Sequence, residues 1–118
     1  MSRRIDSIVR DLSGDPSVVG LIIYRVDGTP VFVRINDEMK VLQHMYFLES
    51  QIKSVLGYIF TQNLNEISIK VEDIKILLLP ITRTLVMSIL FFPTAEYRLE
   101  IEAKRLINTL KPILVNEV

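Results

Sequence analysis

Hydrophobic and polar positions change period several times along this chain, and each change marks an element. Ile5, Ile8, Val9 and Leu12 recur at i, i+3, i+4 and i+7, one face of a short amphipathic helix. Gly14, Asp15 and Pro16 end it. Val18 to Tyr24 is an apolar run rich in β-branched residues and reads as a buried strand. Asp27-Gly28 separates it from Pro30 to Arg34, and Asp-Gly between two such runs predicts a hairpin, because glycine takes the positive φ of a tight turn. From Asp37 to Phe60 the period is helical, with Asp37 as the expected N-cap. Gln62 to Asn65 is a polar break.

Ile67, Ile69 and Val71 alternate with Ser68 and Lys70, the period of a half-buried strand. Glu72-Asp73 turns the chain into a strand over Ile74 to Leu79, which Pro80 closes. Leu85 to Phe92 is almost uninterrupted in its apolar character and is expected at the centre of a sheet. Pro93-Thr94 opens a last helix, with Thr94 as N-cap and Glu96 near the positive end of the dipole. Leu99, Ala103, Leu106, Leu110 and Ile113 form its stripe, Glu100 and Lys104 form an i,i+4 pair on its wet side, and Pro112 is expected to kink or end it near Lys111. The order α-β-β-α-β-β-β-α predicts one α+β domain, residues 1–118, on an antiparallel sheet.

Composition narrows the function classes. The 118 residues are 49% hydrophobic, which excludes a disordered chain, and 14 basic residues balance 14 acidic ones, so no excess charge draws the chain to nucleic acid or an anionic membrane. With no cysteine there is no disulfide scaffold, zinc–thiolate site or thiol nucleophile, which fits a cytoplasmic setting. His44 is the only histidine and is expected to be an ordinary surface or interface residue. The four glycines are scattered, so there is no phosphate-cradling loop, and no signal peptide or membrane-spanning run is read. A small domain this apolar is expected to need an oligomeric partner.

Val19-Gly20-Leu21-Ile22-Ile23 running into Asp27-Gly28-Thr29-Pro30-Val31 resembles the first hairpin of the roadblock/dynein light-chain family. Ile74 to Pro80 followed by Leu85 to Phe92 is similar to the family's last two strands, and the element order matches over essentially the whole chain. The resemblance implies a five-stranded sheet in the order 2-1-5-4-3, with the long second helix on one face and the terminal helices on the other. It implies a dimer in which third strands pair edge to edge and second helices pack together. Members of the family scaffold or regulate small Ras-like GTPases, or serve as light chains of motor complexes.

The residues of the long helix also point to a dimer. At about 100° per residue, Val41, Met45, Leu48, Ile52, Val55 and Ile59 fall on one stripe and Met39, Leu42, Tyr46, Leu56 and Phe60 on a second. Together they span about 200°, wider than a surface helix needs, so a second copy of the helix is expected to cover what the sheet does not. Leu42, Met45, Tyr46, Ile52 and Leu56, with the edge strand Ile67, Ser68, Ile69, Lys70 and Val71, are the expected dimer interface. Phe47 and Tyr58 lie on the otherwise polar side among Lys40, Gln43, His44, Gln51 and Ser54, and these seven are the expected partner-binding surface.

Arg25, Arg34 and Arg83 sit at strand ends or turns, where an arginine can reach a partner's phosphates; solvated loop charges explain them as well. Glu100 and Glu102 share no face with a base. The expectation is a non-enzymatic homodimeric module without catalytic, cofactor or metal site, which binds and regulates or scaffolds a small Ras-like GTPase. It takes no nucleic acid and reaches membranes only through partners. The alternative is a light-chain-like structural adaptor in a larger motor or membrane-associated complex.

Overall fold

The structure, a computed structural model, describes residues 9–10, 12–39, 42 and 54–117. Its strands are β1 (Val18–Arg25), β2 (Pro30–Ile35), β3 (Ile67–Val71), β4 (Ile74–Pro80) and β5 (Leu85–Phe91). They form one antiparallel sheet in the order β2-β1-β5-β4-β3, as expected. All seven residues of β5 are buried between β1 and β4, which explains its unbroken apolar run. Helical backbone is found at residues 9–13 around the undescribed 11, at 38–39 and 42, at 54–61, and in a C-terminal helix over Glu96–Glu117. None of the described helices is long and apolar enough to cross a membrane.

Alternation along the strands divides the core in two. On one face Val9 and Leu12 join Leu99, Ala103, Leu106, Ile107 and Leu110 of the C-terminal helix, against Leu21, Ile23, Leu77, Leu79, Met87 and Ile89. On the other, Leu56 and Ile59 pack on Ile22, Tyr24, Ile74, Ile76, Leu78, Val86 and Leu90. Both terminal segments therefore share one face, and residues 54–61 lie on the other. Ser88 shares the second face by the period of two; its Oγ is buried and has no hydrogen-bond partner among the described residues.

The turns follow from local chemistry. Gly28 has φ 94° in the first hairpin, and the Asp27 carboxylate accepts from Thr29 N–H at 2.9 Å. Asn63 ends the helical segment at φ 55°, with Leu64 N–H donating back to Ile59 C=O at 2.9 Å, the six-to-one bond of a left-handed helix stop. Glu72 takes φ 55° between β3 and β4. The β4–β5 turn contains no glycine and needs none, since no residue from Ile81 to Thr84 has positive φ. Asn36 Nδ2 donates to Ser13 C=O and Val18 C=O, tying the end of the first helical segment to β1.

Three local expectations are corrected. Pro112 neither ends the C-terminal helix nor marks its last turn, because the helix runs on to Glu117. Proline removes one donor, and Asn108 and Pro112 both lie on the exposed side, where water can reach the spare carbonyl. Thr94 is not an N-cap but lies inside a 3-10 turn, Pro93–Ala95, that precedes the helix. The Glu100–Lys104 pair gives way to pairs between elements: Glu100 accepts from Lys75 of β4 at 3.2 Å, and Lys104 reaches Glu66 at 3.0 Å. Both pairs join the helix to residues outside it rather than running along it, so they fasten the helix to β4 and to the loop before β3.

Candidate functional site

The expected dimer interface divides on inspection. Ile67, Ser68, Ile69, Lys70 and Val71 form β3, which occupies one edge of the sheet and pairs with β4 alone among the described strands. Ser68 and Lys70 are exposed, while Ile67, Ile69 and Val71 are half-buried against the second core face. Its outer backbone row is a ready template for another strand. Leu42 is 66% exposed and available to a second chain. Leu56 is not, because it is 0% exposed within a single chain, packed on the sheet. Leu56 and Ile59 are one turn apart and point the same way, so at this end the sheet takes one residue from each of the two apolar stripes. Met45, Tyr46 and Ile52 lie outside the described residues.

Of the expected partner surface, Ser54 is exposed and Tyr58 is 58% exposed on the side of the helical segment away from the sheet. A tyrosine so placed offers apolar area and a hydroxyl at low entropic cost. Lys40, Gln43, His44, Phe47 and Gln51 lie outside the described residues. Arg25 ends β1 and Arg83 sits in the β4–β5 turn, both exposed, and the two turns meet where Val26 N–H donates to Thr84 C=O at 2.9 Å. Arg34 is half-buried in β2.

Sequence reading missed one exposed surface. Val33 faces Ile22 across the β1–β2 ladder and so shares the face that carries residues 54–61. Val31, Val33 and Ile35 all remain exposed there, and Met39 and Leu42, in the helical residues after β2, are exposed as well. The alternation of Val31, Val33 and Ile35 with Phe32 and Arg34 was the available signal, but period two alone does not say which row is left uncovered.

Electrostatics here are structural. Asp15 accepts from Ser17 N–H at 2.9 Å and pairs with Arg98 at 2.6 Å, which draws the loop before β1 onto the C-terminal helix. The Arg98 bond, more than any other influence, lowers the Asp15 pKa, and Asp15 in turn raises that of Arg98. Glu66 raises that of Lys104. Among the described residues no three histidine, cysteine or carboxylate side chains cluster as a metal site would require.

Comparison with known proteins agrees with this geometry. Among solved structures the chain is similar to a Roadblock/LC7 domain from Streptomyces avermitilis, at TM-score 0.70 and 15% identity, covering 93% of this chain and 97% of that one. It is similar to MglB in a tetrameric arrangement, at TM-score 0.75 and 11% identity over 99% and 92% of the two chains. It is also similar to the gliding protein MglB from Thermus thermophilus, at TM-score 0.70 and 13% identity over 95% and 89%. At such identities the likeness establishes the roadblock fold, in accord with the resemblance read from the hairpin and the last two strands. No curated protein matches the sequence. A family model described as AF0774-like protein matches residues 2–104, and the chain belongs to that family.

Proposed function

We propose that the chain is a non-catalytic homodimeric module that binds a small Ras-like GTPase and regulates or scaffolds it. The observation that carries this is the roadblock fold, with a β3 edge that pairs only with β4 among the described strands and exposed apolar side chains at Val31, Val33 and Ile35 of β2 and at Met39 and Leu42 after it. A strand edge with outward Ser68 and Lys70 suits pairing with its own copy. The apolar surface is of the kind that marks a protein interface. Tyr58 supplies an exposed aromatic anchor on the helical layer. Such a module acts by ordering or releasing the partner's switch segments and donates no chemistry of its own.

The test is a pull-down from source-cell lysate with GDP and, in parallel, with a non-hydrolysable GTP analogue. Recovery of one small GTPase in a single nucleotide state is expected, and Tyr58→Ala should reduce it while leaving the folded protein intact. Recovery of the same large assembly in both states would favour the structural adaptor instead.

A further inference from the structure

Two adjoining depressions lie at the end of the sheet where β4 finishes. One, of about 390 Å³, is lined by Asn65, Glu66, Leu79, Pro80, Lys104, Ile107, Asn108 and Lys111. The other, of about 250 Å³, is lined by Ile59, Phe60, Asn63, Leu64, Asn65, Pro80, Ile81, Thr82, Arg83 and Lys111. They share Asn65, Pro80 and Lys111, so they form one trough between the loop before β3, the β4–β5 turn and the C-terminal helix. Its floor is apolar: Leu79, Ile81, Ile59 and Ile107 are all buried core residues. Its rim is polar, carrying Asn63, Asn65, Asn108, Arg83 and Lys111.

The charge on this rim is one-sided. Among the described residues Lys104, Lys111 and Arg83 are three cations against a single lining carboxylate, Glu66, and that carboxylate is engaged by Lys104 at 3.0 Å. Lys111 and Arg83, which line the same depression, make no ion pair among the described residues. In a chain of zero net charge this is a local excess, not a share of a general field. The asparagine amides can donate to an oxyanion or pair with a peptide backbone. Both depressions are open to solvent, so they would not bury most of a small molecule as an enclosed ligand pocket does. An open trough with an apolar floor and a cationic rim suits an extended segment carrying acidic and apolar side chains.

We propose that this trough is a second docking site, for an acidic peptide segment of a protein partner, with Arg83 and Lys111 pairing its carboxylates. Its lining includes no residue of β2 or β3, although Asn65 and Glu66 immediately precede β3.

The test is a titration of the full chain, uniformly labelled with nitrogen-15, followed through its backbone amide resonances. Three probes are used: a synthetic peptide of alternating Glu and Leu, the same peptide with Gln for Glu, and inorganic phosphate. The Glu peptide is expected to move the amides of residues 63–66, 81–84 and 104–111, and the Gln peptide to bind these amides about tenfold more weakly or not at all. Raising the salt to about 0.5 M should weaken the Glu peptide, since exposed charges are screened within a few ångströms there. Arg83→Gln with Lys111→Gln alters only exposed side chains, and the double variant should keep its amide spectrum elsewhere while losing about tenfold in affinity for the Glu peptide. No shifts at millimolar peptide would overturn the proposal, as would equal binding of the Gln peptide. Phosphate saturating the same amides as tightly as the Glu peptide would replace it with a small oxyanion site.

Discussion

Leu56 and Tyr58 stand two residues apart on one helical segment, and the structure assigns them opposite fates. Leu56 is fully buried on Ile22, Ile76, Leu78 and their neighbours, whereas Tyr58 is 58% exposed. Truncating Leu56 to alanine removes the transfer free energy of a wholly buried side chain, about 2 kcal/mol or more, and leaves a cavity whose lining is sheet and can collapse only in part. Leu56→Ala is therefore expected to cost about 3 kcal/mol, a large part of the roughly 5–15 kcal/mol typical of a domain this size. At roughly 4 °C per kcal/mol, the melting temperature should fall by about 10 °C.

Tyr58→Ala should change stability by about 0.5 kcal/mol or less, as surface substitutions do. The assay is urea unfolding followed by far-ultraviolet circular dichroism, repeated over a tenfold range of protein concentration, with the mass in solution measured in parallel. The Leu56→Ala loss should be nearly the same at every concentration, and the assembly state of the folded variant should match that of the unaltered chain. If Leu56→Ala instead left the fold stable and released monomers, Leu56 would belong to the interface and the placement of the helical segment would be wrong.

Three further outcomes follow from particular side chains. Ser88→Ala removes a buried hydroxyl that has no partner among the described residues, so it should raise stability by about 1 kcal/mol in the same urea assay; a loss of that size would mean the hydroxyl is bonded. Asn63→Gly should stabilise by about 1 kcal/mol because glycine takes the positive φ of the helix stop without strain, and Asn63→Ala should destabilise. Asp15, held by Arg98 below its ordinary value of 3.8, adds stability that is fully present above that value and is lost as the pH falls through the folded pKa; Asp15→Asn should flatten the acid limb of a stability–pH curve relative to the unaltered chain and leave its slope near neutrality unchanged.

Much of the sheet was legible because each strand carries its own signal. A β-branched run marked β1 and an almost unbroken apolar run β5, Asp27-Gly28 marked the first hairpin, and the alternation in β3 marked a half-buried strand that the structure places at an edge. What sequence could not give was direction where two solutions were equally apolar. Either stripe of the long helix could face the sheet, and the structure uses Leu56 from one and Ile59 from the other. The pairs Lys75–Glu100 and Glu66–Lys104 were invisible because they join elements distant in sequence, while the i,i+4 pairing of Glu100 with Lys104 was equally well spaced. Pro112 was read by its usual effect on a helix interior, and its place with Asn108 on the exposed side relaxes that effect. The uncovered row on β2 follows from which residues the opposite layer reaches, a tertiary fact that period two does not encode.

The central claim is that the chain works as a pair joined through β3, and its mass in solution tests this most directly. Light scattering on the purified protein across a wide concentration range should return twice the 13.6 kDa of one chain. A single-chain mass at every concentration would contradict the paired module and the GTPase-binding face built on it.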